Sequence, residues 1–317
     1  MPRRRCVALA CSCHLRVVIC GLFPSCRSEE LPVSHRIVRH WQPTLAGVAI
    51  ATLLLGSGTA GARQPATPVD SVIAADARGY LDTPQLPDSL HLVPPPPADG
   101  STALANDEAI AKAMLALRGT PRWDLATHDA VLRFPAAAST FSCALGVQVD
   151  QATTPHLLRL LERSMRDAST STSAAKAHYQ RPRPFMRNAQ PTCTPDDDAS
   201  LRKNGSYPSG HTAIGWAWGL ILSEIAPARR DALLARGRAF GDSRLVCNVH
   251  WQSDVLQGRI MGAATVAALH GDPAFQKDLA AAREEIDTAR ATPLPAAAAA
   301  ACAAENAALQ TVLPGVM

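Results

Sequence analysis

Helical patterning dominates the chain from Asn106 to Arg290, where strand-like alternation of apolar and polar residues is scarce. Apolar residues recur three or four positions apart, and β-branched residues are few. This spacing places the apolar residues on one face of a helix. We therefore predict an all-α domain with a first helix capped by Asn106 or Asp107. Further helices are expected at about 155–178, 211–226, 228–240, 250–269 and 273–290.

Three other segments complete the predicted organisation. Residues 1–62 form a leader, 63–104 a proline-rich arm with four prolines at 94–97, and 291–317 an alanine-rich tail with a helix at 296–309. Residues 105–290 then form a single helical domain. With 317 residues, 47% of them hydrophobic, the chain can bury a core, which excludes disorder throughout.

The leader has the pattern of a secretory signal peptide. Arginines precede an apolar run from Leu45 to Leu55, and Ala60-Gly61-Ala62 has the small-x-small pattern of a cleavage site. The apolar run is short, since a membrane-spanning helix needs about 20 such residues. We predict export to the periplasm, cleavage near Arg63, and no stable membrane anchor afterwards.

Charge and cysteines are unevenly distributed. The formal net charge is +4, but residues 1–62 hold seven arginines and two glutamates, so residues 63–317 carry 24 basic and 25 acidic side chains. The basic balance therefore does not indicate a nucleic-acid partner. Five cysteines fall in the leader, which leaves Cys143, Cys193, Cys247 and Cys302. An oxidising compartment allows these four to pair.

The first of three polar clusters contains Lys176 and Arg183. Pro182 and Pro184 must end the helix that carries Lys176, so the two cations lie at a helix end and in the turn that follows. Taken alone, this cluster is typical of solvated basic residues that complement a helix dipole.

The second cluster is the turn Pro208-Ser209-Gly210-His211, which opens directly into an apolar helix. Backbone amides at a helix N-terminus bind anions. Ser209 could equally be a simple N-cap. His211 is more informative, because a titratable group beside a phosphate-sized site can act as a general acid.

The third cluster lies in residues 241–255 and contains Arg244, His250 and Asp254. His250 and Asp254 are four residues apart, so on a helix they would share one face. Asp254 could then orient the imidazole as carboxylates do in catalytic triads. A metal pair or a surface pair remains open for these two residues alone.

Together the clusters suit a phosphate group. Lys176, Arg183 and Arg244 could offset the charge of a phosphoryl group without a metal or other cofactor. His250 could attack phosphorus to give a phosphohistidine, while His211 protonates the leaving alcohol and later deprotonates water.

The chain resembles the bacterial class A non-specific acid phosphatases of the type 2 phosphatidic acid phosphatase and vanadium haloperoxidase superfamily. The superfamily pattern K-x6-R-P, P-S-G-H, S-R-x5-H-x3-D is matched by Lys176 to Pro184, Pro208 to His211 and Ser243 to Asp254. The resemblance implies His250 as nucleophile, Asp254 as its orienting partner and His211 as acid and base. It implies that phosphate is bound by the remaining motif residues Lys176, Arg183, Ser209, Gly210 and Arg244.

The same resemblance implies an all-helical bundle, commonly a homodimer, with no required metal. It also indicates a Cys193–Cys247 disulfide, which leaves Cys143 and Cys302 as a second pair. The expected activity is hydrolysis of small phosphate monoesters with broad specificity and an acidic optimum, and transfer of phosphate to alcohols as a further activity.

Three alternatives remain at this level. A vanadium-dependent haloperoxidase would bind vanadate in the same anion site, with His250 as its ligand. A membrane-lipid phosphatase is disfavoured because no spanning segment follows residue 62. A non-catalytic phosphate-binding protein would keep the cations but would not need His211 or the His250–Asp254 pair.

Overall fold

The computed structural model describes residues 78–316, so the predicted leader and residues 63–77 of the arm lie outside the described residues. The described residues are helical and contain no β-strand, which confirms the all-α fold class. No helix among them is long and apolar enough to cross a membrane. The helices are α1 (Ser89–Leu92), α2 (Thr102–Met114), α3 (Pro121–Asp129), α4 (Ala136–Ser139), α5 (Ser142–Leu145), α6 (Pro155–Thr170), α7 (Ser173–Tyr179), α8 (Pro184–Asn188), α9 (Asp198–Leu201), α10 (Gly210–Ile225), α11 (Arg230–Val246), α12 (Gln252–Leu269), α13 (Pro273–Ala289) and α14 (Ala296–Leu309).

Helix α10 lies at the centre of the bundle and contacts α6, α11, α12 and α13. It is apolar on nearly all sides, as expected of a helix with neighbours all round. Trp218 on this helix is fully buried, and its indole Nε1 donates to the carbonyl of Leu161 at 3.0 Å. The rings of Phe134, Phe141 and Phe240 lie 6.0–6.1 Å from the Trp218 ring. These contacts fix the position of α10 and of the turn before it.

Glycines allow α11 and α12 to approach α10 closely. A Cβ atom on Gly237 of α11 would lie 2.8 Å from the carbonyl oxygen of Gly215. A Cβ atom on Gly258 of α12 would lie 2.6 Å from the carbonyl oxygen of Ser209. Both distances are shorter than van der Waals contact permits, so these backbones touch only because glycine has no side chain.

The described part of the arm packs against the helices. Tyr80 is buried, its backbone N–H donates to Asp167 at 2.8 Å, and its hydroxyl donates to Asp278 at 2.8 Å. The predicted start of the first helix was wrong, because α2 begins at Thr102 with Ser101 as its N-cap. The Ser101 hydroxyl accepts from the backbone N–H of Leu104, a role that serine performs as well as asparagine or aspartate.

Three other predicted boundaries differ from the structure. The helix expected at 228–240 is α11, which continues to Val246 and so carries Ser243 and Arg244. The helix expected at 155–178 is broken into α6 and α7 at residues 171–172. The helix expected from His250 begins at Gln252, with Trp251 as its N-cap. The Asp254 side chain accepts the backbone N–H of Trp251 at 2.9 Å, and this capping contact sets the start of the helix. The predicted tail helix at 296–309 is confirmed as α14.

Two disulfides are present in residues 78–316, with the pairing expected from the sequence. Cys143–Cys302 joins α5 to α14 with a Cα–Cα distance of 5.2 Å, and Cys193–Cys247 joins the segment after α8 to the end of α11 at 4.8 Å. The tail is also held by Glu305, which accepts from Arg236 Nε at 3.1 Å. The alanine-rich tail is therefore attached to the bundle at two points.

Candidate active site

The three polar clusters of the sequence meet at the N-terminal end of α10. The backbone N–H of Ser209 donates to the carbonyl of Asp254 at 3.0 Å, which joins the second cluster to the third. Arg183 Nη1 lies 3.1 Å from His250 Nε2, which joins the first to the third. The Lys176 side chain passes 3.8 Å from the position of a Cβ on Gly210. These contacts link six of the eight predicted catalytic and phosphate-binding residues. His211 directly follows Gly210 on α10, and Arg244 lies in the last turn of α11, where its carbonyl accepts from the His250 N–H.

His250 lies in a turn between α11 and α12, where its backbone N–H donates to the carbonyl of Arg244 at 3.3 Å. Its side chain is buried, with Nδ1 3.2 Å from Asp254 Oδ2. The expectation that His250 and Asp254 share a helix face was wrong, since only Asp254 is on α12. The contact forms because the first turn of α12 directs Asp254 back toward the residues that precede the helix.

The hydrogen bonds of His250 define its tautomer. Arg183 Nη1 can only donate, so His250 Nε2 must accept and the proton must be on Nδ1, facing Asp254. Burial, reinforced by the cations Arg183, Lys176 and Arg244, holds the pKa of His250 well below its usual value. The imidazole is therefore neutral, with the Nε2 lone pair directed at the cationic cluster.

Asp254 is held by a buried network that the sequence analysis missed. Arg181 donates from Nη1 to Asp254 Oδ1 at 2.6 Å and from Nη2 to Asp107 Oδ2 at 2.8 Å. Asp107 on α2 also accepts the backbone N–H of Ser253 at 2.9 Å. Burial raises the pKa of Asp254, while Arg181 and the Trp251 N–H lower it. Two residues remote in sequence thus fix the carboxylate that orients His250.

Arg183 and Lys176 are anchored by backbone carbonyls. Arg183 donates from Nε to Leu201 at 3.0 Å and from Nη1 to Val249 at 3.0 Å, and Lys176 Nζ donates to Gly205 at 2.8 Å. Burial, followed by the charge of Arg183, lowers the pKa of Lys176 to about 7. Burial lowers the pKa of Arg183 to about 10. Burying these two charged side chains away from water costs free energy, and a bound anion would offset that cost by its attraction to both cations.

Arg244 is the buried cation without a matching acceptor. Its side chain is 2% exposed, yet Nε and Nη1 make no hydrogen bond within the described residues. Burial and the nearby charge of Arg183 lower its pKa to about 10. Leaving buried charged donors unpaired is costly, so this arrangement favours a site whose acceptor is a ligand.

The turn before α10 supplies hydrogen-bond donors and a second histidine. Ser209 is the N-cap and is fully buried, with its hydroxyl accepting from the Thr212 N–H at 3.3 Å. His211 Nε2 lies 3.0 Å from the carbonyl oxygen of Ala130, and its ring stacks on Phe240. Because a carbonyl only accepts, Nε2 carries a proton and Nδ1 is the nitrogen left for proton exchange. Burial and the charge of Arg244 hold the pKa of His211 well below its usual value.

Arg181 and Asp107 could not be recognised from the sequence. Arg181 is one of two arginines in Arg181-Pro182-Arg183-Pro184, and only the second matches the superfamily pattern. Asp107 was considered only as a helix cap. Their pairing spans 74 residues of sequence, so no local spacing signals it.

The site has the charge balance of an anion receptor. Lys176, Arg181, Arg183 and Arg244 oppose Asp107 and Asp254, so four cations face two carboxylates and the excess is +2 when all are charged. No cluster of three or more metal-ligating side chains occurs in residues 78–316. The excess charge and the unpaired donors match a doubly charged oxyanion.

Comparisons with known proteins agree with this geometry. The family model described as PAP2 superfamily matches residues 163–277, the segment that carries all three clusters. An acid phosphatase of Zymomonas mobilis is 44% identical over 203 residues, which cover 64% of this chain and 77% of the relative. A non-specific acid phosphatase of Providencia stuartii is 45% identical over 207 residues, covering 65% and 84%. One of Salmonella typhimurium is 42% identical over 196 residues, covering 62% and 78%.

The fold and site together define a helical phosphatase of the PAP2 superfamily. Within that superfamily, the chain belongs to the bacterial non-specific acid phosphatases.

Proposed function

We propose that this protein hydrolyses phosphate monoesters through a phosphohistidine formed on His250. The observation that carries the proposal is the neutral imidazole of His250, whose Nε2 lone pair faces Arg183 while Nδ1–H faces Asp254. A carboxylate on the far nitrogen raises the nucleophilicity of the near one and stabilises the positive charge that develops on attack. The names of the relatives favour a phosphatase over a vanadium-dependent haloperoxidase.

The phosphoryl group binds among Lys176, Arg183 and Arg244 and the N-terminus of α10. The unpaired Nε and Nη1 of Arg244 donate to its oxygens, as do Lys176 and Arg183. The Ser209 hydroxyl donates as well, and the backbone N–H of Gly210 contributes the partial positive charge of a helix N-terminus, whereas the N–H of Ser209 is bonded to Asp254. These donors are positioned before the reaction, so they stabilise the equatorial oxygens in the transition state without reorganisation.

Two balanced steps complete the reaction. The bound dianion offsets the charges of Arg244 and Arg183, which lower the pKa of His211, so His211 carries a second proton on Nδ1 in the complex. His250 Nε2 forms a bond to phosphorus, the bond to the ester oxygen breaks, and His211 Nδ1 gives this proton to the leaving alkoxide. Water then attacks phosphorus and gives its proton to His211, and the phosphorus–nitrogen bond breaks to restore His250. An alcohol in place of water would give phosphate transfer. The carbonyl of Ala130 holds the His211 ring in the orientation that both steps use.

Hydrolysis of 4-nitrophenyl phosphate by wild type, His250→Ala and His211→Ala tests this mechanism. We expect no turnover by His250→Ala and a loss of about 10²- to 10⁴-fold in kcat for His211→Ala, the usual contribution of a general acid. His156→Ala is a matched control, because His156 is exposed at the start of α6. Acid-labile, alkali-stable phosphate on the wild-type protein is expected during turnover, and its absence in a rapid quench would contradict the phosphohistidine. Activity is expected to survive a chelator.

Export and assembly belong to the same proposal. We infer that the chain acts in the periplasm after cleavage near Arg63, as a homodimer with residues 105–290 as its catalytic domain. Its two disulfides support an oxidising compartment. N-terminal sequencing of the mature protein and light scattering of the purified enzyme test these points.

A further inference from the structure

A cavity of about 640 Å³ borders α10, the helix whose N-terminus carries the proposed phosphate site. Its walls come from the loop 132–135 after α3, from α6 and from α10. Leu132, Phe134, Met165 and Ile214 give it an apolar surface. This volume is within the usual range for small-molecule sites.

Two routes connect the cavity to the phosphate site. Ile214 is one helical turn beyond Gly210, which is about 6 Å along the axis of α10. Ser169, also in the cavity wall, accepts through its carbonyl from Thr172 Oγ1 at 2.8 Å. Thr172 Oγ1 lies 3.5 Å from the position of a Cβ on Gly210. The cavity wall and the start of α10 are therefore separated by about one helical turn.

The charges lining the cavity are mainly positive. Arg133 and Arg166 are exposed and have no carboxylate within 4 Å among residues 78–316. Glu162 is the single acid in the wall, and it is buried. Burial raises the pKa of Glu162, while the charge of Arg166 opposes that shift. Two exposed guanidinium groups and one buried carboxylate therefore leave an excess of positive charge at the wall of an apolar cavity.

We infer that this cavity is a leaving-group subsite that favours phosphomonoesters whose alcohol part carries its own negative charge, a carboxylate or a second phosphoryl group. The inference rests on the proposed function, because it places the leaving group next to His211. The organic part of the alcohol packs on Leu132 and Phe134, and its anionic group faces Arg133 and Arg166. A cationic leaving group is disfavoured by the same arginines.

Matched aryl phosphates test the inference. The substrates 4-carboxyphenyl phosphate and neutral 4-carbamoylphenyl phosphate have nearly the same shape and differ in charge. The third substrate, 4-phosphonophenyl phosphate, distinguishes a phosphoryl-type anion from a carboxylate. For wild type we expect kcat/KM to be about three- to tenfold higher for an anionic substrate, the value expected of two exposed ion pairs. The preference should fall when salt is raised, because exposed charges are screened.

The readout is the ratio of kcat/KM for the anionic and neutral substrates. In the double variant Arg133→Gln/Arg166→Gln this ratio is expected to fall to about one, whereas Arg118→Gln, which removes an exposed arginine outside the cavity, should keep the wild-type ratio. A wild-type ratio near one, or one unchanged in the double variant, would overturn the subsite.

The proposed function fails in a different way. If none of the three substrates is hydrolysed, or if His250→Ala hydrolyses them as well as wild type does, the mechanism is wrong. If hydrolysis requires His250 but kcat/KM does not depend on the charge of the leaving group, the proposed mechanism is retained and only the proposed leaving-group subsite is rejected.

Discussion

Replacing Lys176 by methionine should lower activity in acid far more than in base. Burial and Arg183 lower the pKa of Lys176 to about 7. With that value, Lys176 in the free enzyme is about 90% charged at pH 6 and about 10% charged at pH 8. Because this pKa is lowered, the cation is present below pH 7 and is lost as pH rises through 7. The contribution of Lys176 to the binding of the phosphoryl group should therefore be lost between about pH 6 and pH 8.

The size of the effect follows from the contact that Lys176 makes. A hydrogen bond to a charged group contributes roughly 1.5–3 kcal/mol, or about 10- to 150-fold in kcat/KM. We expect the ratio of wild type to Lys176→Met to reach this range at pH 5.5 and to fall roughly tenfold by pH 8. The quantity kcat/KM is the right one because it reports the pKa values of the free enzyme.

Arg244→Met is the matched control. The pKa of Arg244 is lowered only to about 10, so Arg244 keeps its charge between pH 5.5 and pH 8. Ionisation of the substrate affects wild type and both variants alike, so it cancels in each ratio. The pKa values of His211 and His250 are lowered mainly by burial, which neither variant removes. The ratio for Arg244→Met should therefore stay constant over this range.

Two results would refute the reasoning. A ratio for Lys176→Met that is large and constant from pH 5.5 to pH 8 means that Lys176 stays charged despite its burial. Ratios that fall together for Lys176→Met and Arg244→Met place the pH dependence in another group. The assay is steady-state hydrolysis of 4-nitrophenyl phosphate in buffers of equal ionic strength.

Three further predictions concern stability. Arg244→Met should raise the melting temperature of the ligand-free protein, because it removes buried unpaired donors, but should abolish most of the stabilisation that inorganic phosphate gives in a thermal melt. Arg181→Met should cost about 3–5 kcal/mol in the free energy of unfolding, because it leaves Asp107 and Asp254 buried without their cation; a change below 1 kcal/mol in urea unfolding would contradict the network. Replacing both Cys193 and Cys247 by serine should cost about 4 kcal/mol, since the bond closes a loop of 54 residues, and reducing agent should then shift the unfolding midpoint less than in wild type.

The sequence predicted most of the site because its motifs lie at the ends of helices. Proline at positions 182, 184 and 208 ends or starts a helix by local sterics, so Lys176, Arg183 and Ser209 could be placed at helix ends without knowledge of the fold. The contact between His250 and Asp254 was predicted correctly but for the wrong reason. It arises from the capping of α12 rather than from a shared helix face.

Tertiary contacts supplied what the sequence could not. Arg181 bridges Asp107 on α2 and Asp254 on α12, and the pairing depends on how these helices pack rather than on any period in the chain. The tautomer of His211 depends in the same way on the carbonyl of Ala130, which is 81 residues distant. Backbone carbonyls have no sequence signature, so such partners become visible only in three dimensions.

The glycine contacts of α10 bear on how an enzyme of this kind could change its substrates. Gly258 touches the carbonyl of Ser209, and Gly237 touches that of Gly215, so even one added methyl group would push apart the helices that hold the phosphate donors. Substitutions that change substrate preference are therefore not expected where α11 and α12 contact α10. The exposed positions of the loop 132–135, such as Arg133, and the exposed side of α6 have no such restriction. Laboratory selection for hydrolysis of esters with a new leaving group should therefore accumulate substitutions in that loop and on α6, while the residues that bind the phosphoryl group stay unchanged.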